Sequence, residues 1–328
     1  MFMLSKLSIK QKLILIMLIP LMVVILLAAK LAIDSFSTSK NLKDLDNVVV
    51  LSVKIGDLVH ETQKERGMTA GFLGSNGEKF KTELPAQRSV VDEKFKELNS
   101  FLNTFNKDVY GSEFSENLNN GLKKLQDLNA TRNGVNNLSI NAGVAIAYYT
   151  DANTLLLNVI GNITKLSNSA KVSQELVSYM NFLLSKERAG IERAVGTNTF
   201  AKNSFGEGMK AKFYTLVAEQ NAYMDAFLKV SSLEMADFYK KTFQGESISE
   251  VEKMRKVALY SDIDSNFSID ANYWFKQMTE KINILKKIEE HISQSLINTI
   301  EKEMDIASHN MIVYGLLSAF GVALTMIL

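Results

Sequence analysis

The chain contains no cysteine, which excludes disulfides and thiol chemistry and fits an exported bacterial domain without staples. It has only two prolines, Pro20 and Pro85, in 328 residues. Leu, Lys, Glu, Asn and Ala are abundant, so little stands in the way of long uninterrupted helices. No stretch of useful length alternates polar and apolar residues as a strand does. Neither charge dominates: 37 basic residues face 36 acidic ones. Residues 1–33 hold Lys6, Lys10, Lys12 and Lys30 and no acid, leaving 33 bases against 36 acids, a net of −3. That balance argues against nucleic acid as a partner and requires any anion site to be local. A nucleophile motif, a glycine-rich phosphate loop and a dinucleotide fingerprint are also missing, which points away from an enzyme and from a cofactor. The three histidines are His60, His291 and His309. His60 with Glu61 and Glu65 reads as a solvated helix face rather than a metal site. The single tryptophan, Trp274, reads as a packing residue near the domain base.

What is present begins with two apolar runs. Leu13–Ala29 continues past Lys30 to Ile33, and its 17 core residues rise ~26 Å as a helix. Pro20 is tolerable in such a span, and Lys30 can snorkel. The alternative is a cleaved signal peptide, but the core exceeds the usual ~7–15 residues and Lys30 sits within the small-residue cluster Ala28, Ala29 and Ala32. The second run is Met311–Leu328. Lysines before the first run place residues 1–12 in the cytoplasm of a bacterial inner membrane. The expected order is then a span at 13–33, a periplasmic helical domain at 34–309 and a returning span at 311–328. The chain stops inside that second span, so an output module is expected from a longer chain or a partner.

The outer domain reads as all-α, with long antiparallel helices in one or two bundles. Leu42, Leu45, Val49, Ser52, Ile55, Val59 and Thr62 follow helical spacing, as do Phe275, Met278, Ile282, Leu285, Ile288, Ile292, Leu296 and Ile300. Both stripes connect directly to a span, which gives a displacement a mechanical route to the membrane. Residues 144–160 read as a buried helix, and Leu84-Pro85 as a helix start. Breaks are expected at 74–77, 106–112, 133–141, 197–208 and 244–247. Ser247–Glu250 has the form of a capping box before a helix through Leu259.

One pattern occurs twice. Lys64-Glu65-Arg66-Gly67 is followed by Gly71 and Gly74; Lys186-Glu187-Arg188-Ala189 is followed by Arg193 and Gly196, each 122 residues on. Gln87 and Asp92 reappear as Gln220 and Asp225 at an offset of 133, so the second copy carries about 11 extra residues, assigned to 197–208. Helical projection sets Arg66 on one face with Leu58, Thr62, Thr69 and Leu73, and Arg188 with Met180, Leu184, Ile191 and Val195. Both arginines are thus expected to face the core, where each must find an anion. Gly67, Gly71, Gly74 and Gly196 imply close approach of a neighbour, because glycine costs ~1 kcal/mol inside a helix. Arg193 stands where the first half has Gly71, and from there it can reach over a glycine-lined surface. The partner anion is either an internal glutamate (Glu65, Glu187 or Glu192) or a ligand.

The segments LVHETQKERGMTAGFLGSNG and QRSVVDEKF at Leu58–Phe95, with KERAGIERAVGTNTF at Lys186–Phe200, resemble the nitrate- and nitrite-sensing (NIT) family over about residues 50–260. The resemblance implies an all-helical sensor, often part of a chemoreceptor such as a methyl-accepting chemotaxis protein, in which motif arginines bind nitrate or nitrite. By position these are Arg66 with Arg188 or Arg193; Arg132 and Arg255 match no motif and are weaker candidates. It further implies a homodimer that passes a helix shift to a cytoplasmic signalling partner. A membrane-tethered, ligand-free bundle with salt-bridged arginines is the alternative, and the same sensor tuned to another small anion is a third.

Overall fold

The computed structural model describes residues 8–167, 169–260 and 267–327. The start of the expected cytoplasmic flank, with Lys6, and Leu328 lie outside the described residues. All regular elements among the described residues are helical: α1 Ile9–Gly74, α2 Glu83–Leu102, α3 Ser112–Gln126, α4 Leu128–Asn136, α5 Ala142–Ile163, α6 Ala170–Lys202, α7 Met209–Val230, α8 Leu233–Thr242, α9 Glu246–Tyr260 and α10 Ala271–Ile327. The scarcity of proline is realised as two very long helices, α1 of 66 residues and α10 of 57, and α1 remains helical through Pro20. Every residue of the two long stripes named above is buried.

The chain divides into two compact units, residues 1–46 with 297–328, and residues 47–296. In the first, α1 and α10 run antiparallel. The Ser39 and Ser308 hydroxyls lie 3.0 Å apart, and a Cβ on Gly321 would come within 2.6 Å of Ile25. Both helices are long and apolar enough to cross a membrane.

The second unit is built from two related halves, α1–α5 and α6–α10. The motif helices α1 and α6 lie parallel, with Gly56 near Tyr179, Gly71 against Thr197 and Gly74 against Ala201. Helix α10 runs antiparallel to both, through Lys286–Asp57 at 2.6 Å on one side and Trp274 against Gly196 on the other. In each half the next long helix folds back on the motif helix: Gln87 of α2 donates to Glu61 at 2.8 Å, and Ser185 donates to the Gln220 carbonyl of α7 at 3.0 Å. Helix α5 closes the first half, accepting at Asn153 from Thr62 at 2.6 Å.

Several local expectations shift. Helix α9 starts at Glu246, so Ser247 is a buried helical residue and not an N-cap. The residues added in the second copy are not all loop. Helix α6 continues six residues past Gly196 before Asn203 ends it in the left-handed region at φ 57°, whereas α1 stops at Gly74. Trp274 does pack, but beside Gly196, Phe200 and Phe213, far along α10 from the end of the unit where that helix leaves it. His60 is buried rather than solvated, because α6 and α10 cover that side of α1; burial, then the nearby Lys186 charge, pushes its pKa down.

The contact at Gly196 is among the tightest in this packing, since a Cβ there would stand 2.5 Å from the Trp274 indole. Gly196→Ala is therefore expected to lower stability by ~1–3 kcal/mol through overpacking, read from denaturant unfolding of the full chain. A loss below ~0.5 kcal/mol would show that Trp274 can move aside.

Candidate functional site

The parallel packing of α1 and α6 brings their arginines together without making them equivalent. Arg66 and Arg193 are both 0% exposed. Arg66 Nη1 donates to Glu187 Oε1 at 2.6 Å and to Thr150 Oγ1 of α5 at 3.1 Å. Arg193 Nη1 donates to Thr279 Oγ1 of α10 at 2.9 Å. Each guanidinium lies over a glycine of the opposite helix. A Cβ on Gly190 would be 2.8 Å from Arg66 Nη2, and one on Gly67 would be 3.2 Å from Arg193 Nε. Gly67 also leaves room for the Phe275 ring at 2.7 Å, and the Arg193 guanidinium stands 5.0 Å from the centre of that ring. A Cβ on Gly71 would run into Phe80 and stand 2.9 Å from Thr197, and one on Gly74 would stand 2.9 Å from Asn198.

The decisive feature is the distribution of internal carboxylates. Glu65 is taken by Arg132 of α4, whose Nε and Nη2 donate to its two oxygens at 2.8 Å each, and by the Tyr149 hydroxyl at 2.6 Å. Glu192 is taken by Arg255 of α9, with both contacts at 2.6 Å, and by Gln220 at 2.7 Å. Glu187 is taken by Arg66 on one oxygen and Gln63 Nε2 on the other, at 2.6 and 2.5 Å. Among the described residues no carboxylate is left for Arg193. Its Nε and Nη2, and the Nε and Nη2 of Arg66, are buried without a hydrogen-bond partner. Burial, then repulsion from Arg66, lowers the Arg193 pKa to about 9, against the pull of Glu61 and Glu187. Burial opposes charge on Arg132 too, but its bonds to Glu65 outweigh that and raise its pKa.

Arg188 departs from its expected place. It is 23% exposed and bonds Glu219 of α7 at 2.5 Å, with its guanidinium 5.5 Å from the centre of the Tyr223 ring. The buried face of α6 runs through Lys186, Ala189 and Arg193, roughly one position out of phase with the projection that set Arg188 in the core. Arg132 and Arg255 sit 123 residues apart and clasp buried glutamates in related ways, so the repeat extends to a pair with no recognisable local motif. The offset was readable from the sequence; the bonding was not. Thr150 of α5 and Thr279 of α10 carried no sequence signal, whereas Gln63 adjoins the first motif on α1 and Phe275 showed only as a stripe residue of α10.

The family described as nitrate and nitrite sensing matches residues 57–297. The nitrate regulatory protein of Klebsiella oxytoca is 25% identical over 251 residues, covering 76% of this chain. The chain spans 63% of the length of that relative. A solved structure of the NasR transcription antiterminator superimposes with a TM-score of 0.75 at 23% identity, covering 89% of this chain and 85% of that one, a likeness of fold.

The carboxylate count predicts opposite responses from buried arginines. Arg132→Met or Arg255→Met strands a buried glutamate and is expected to cost ~3–5 kcal/mol. Arg193→Met removes a cation that has no carboxylate and is expected to raise the unfolding midpoint of the anion-free chain. A comparable loss in all three variants would show that Arg193 has its counter-charge already.

Proposed function

This chain belongs to the nitrate and nitrite sensing family, and on that premise we propose that Arg66 and Arg193 together hold one nitrate or nitrite ion. The observation that carries the reading is a fully buried guanidinium without a carboxylate, beside a second one that is half satisfied. Between them they leave four guanidinium nitrogens free to donate. A planar oxyanion matches planar donor forks. Charge-assisted hydrogen bonds contribute roughly 1.5–3 kcal/mol each, so three or four meet the ~8 kcal/mol of a micromolar site after immobilisation costs. The similarity to a nitrate regulatory protein supports the choice of anion.

The ion would tie α1 to α6, and through Thr279 to α10, favouring one packing of the three helices over another. Helices α1 and α10 each carry an apolar stretch that the protein leaves uncovered, which supports two membrane spans. In this reading residues 34–309 form an extracytoplasmic sensor on a bacterial inner membrane, between spans at 13–33 and 311–328. The chain works as a homodimer, and ion binding shifts α1 or α10 toward a cytoplasmic chemotaxis output. The function is sensing, not catalysis.

Titration calorimetry of the full chain in detergent micelles tests the reading. Nitrate or nitrite is expected to bind, Arg66→Ala and Arg193→Ala to lose at least tenfold in affinity, and Arg188→Ala to bind nearly as the parent does. Absence of binding by both ions sinks the proposal, and a panel of other small anions identifies a differently tuned site. The pH dependence follows from Arg193, whose charged form the bound anion requires. Its pKa without ligand is about 9, so affinity should be flat below that pH and fall above it, by up to tenfold per unit, with proton uptake on binding. In the absence of the anion, the same group costs the fold stability below about pH 9, and the cost is relieved as pH rises toward its unfolded value.

A further inference from the structure

The buried acid Glu187 has both oxygens fixed, one on Arg66 Nη1 and the other on Gln63 Nε2, and is 1% exposed. It therefore cannot swing out of the site without stranding two buried groups. Its neighbours are already balanced. Lys186 is paired with Glu289, Lys286 with Asp57 and Glu289, and Lys64 with Glu61. Glu65 and Glu192 are held by Arg132 and Arg255. What remains is two guanidinium charges against one carboxylate, a net of +1 enclosed by protein. In a low-dielectric interior an unneutralised charge is strongly disfavoured, whichever its sign.

We infer that Glu187 is the charge filter of this site: by cancelling one guanidinium it makes a single monovalent oxyanion the complement and refuses divalent ones. This rests on the reading of Arg66 and Arg193 as the anion site. Without Glu187 the same donors would enclose a net charge of +2, which suits a sulfate-like ion. With it, a divalent ion leaves one buried negative charge uncompensated. The pairing also fixes the Arg66 guanidinium so that Nε and Nη2, rather than Nη1, are the free donors. Glu187 thus acts on selectivity twice, by charge and by orientation.

The test needs two anions of one shape and different charge, which perchlorate and sulfate provide. Calorimetry on the full chain in micelles should show perchlorate preferred over sulfate. Glu187→Gln should raise sulfate affinity relative to perchlorate by tenfold or more. Because that variant strips Arg66 of its carboxylate and can unfold, a second arm restores the charge count. Arg193→Gln alone should lose nitrate, and Arg193→Gln with Glu187→Gln should regain it at least tenfold. An unmoved sulfate-to-perchlorate ratio in folded Glu187→Gln, failure of that variant to bind sulfate, or no recovery in the double variant overturns the filter. Lack of nitrate and nitrite binding by the unaltered chain defeats the sensing reading instead, whichever way the ratio moves.

Discussion

A guanidinium leaves water only if something replaces its hydration and its counter-charge. Two of them lie fully buried here, a few residues apart in register on parallel helices. The surrounding structure is arranged around that problem. Glycines on α1 and α6 let each side chain lie flat against the opposite backbone, and threonines on α5 and α10 each accept one hydrogen bond. One carboxylate serves one arginine. The second arginine has no carboxylate among the described residues and bonds only the Thr279 hydroxyl.

The duplication explains how such a shortfall arises without collapse of the fold. Each half carries its own clamp, Arg132 on Glu65 and Arg255 on Glu192, and these satisfy their buried acids with bidentate geometry. The clamps join α1 to α4 and α6 to α9 and hold the two halves internally. Arg66 and Arg193 sit between the halves, where α1 meets α6. In the reading proposed above, stability and sensing fall to different arginines of related helices. The ion proposed to bridge α1 and α6 would act between the halves, where its binding energy can shift a packing equilibrium.

Much of this was legible beforehand. Scarce proline and helical stripes gave the long helices, and all fifteen stripe residues from Leu42 to Thr62 and from Phe275 to Ile300 are buried. The 122-residue repeat located the motif helices, and the nitrate and nitrite sensing family follows from the motif residues and the matched span. Phase was less secure. A projection through Arg188 fits nearly as well as one through Arg193, because α6 is buried over most of its circumference from Ser185 to Thr197 and an apolar stripe has no clear edge there. His60 misled for the opposite reason: charged neighbours in sequence look like a solvated face until two further helices cover them.

The sequence by itself determined that the chain is helical, that it carries two apolar segments long enough to span a membrane, and that its two halves share an arginine motif. These follow from local rules of periodicity, breaker residues and composition, which act over tens of residues. Which arginine lacks a carboxylate was decided only in three dimensions. Glu65, Glu187 and Glu192 are all near in sequence to Arg66, Arg188 and Arg193, yet they are claimed by Arg132, Arg66 and Arg255. Charge balance in a buried site is a sum over separate helices, and no stretch of sequence contains that sum.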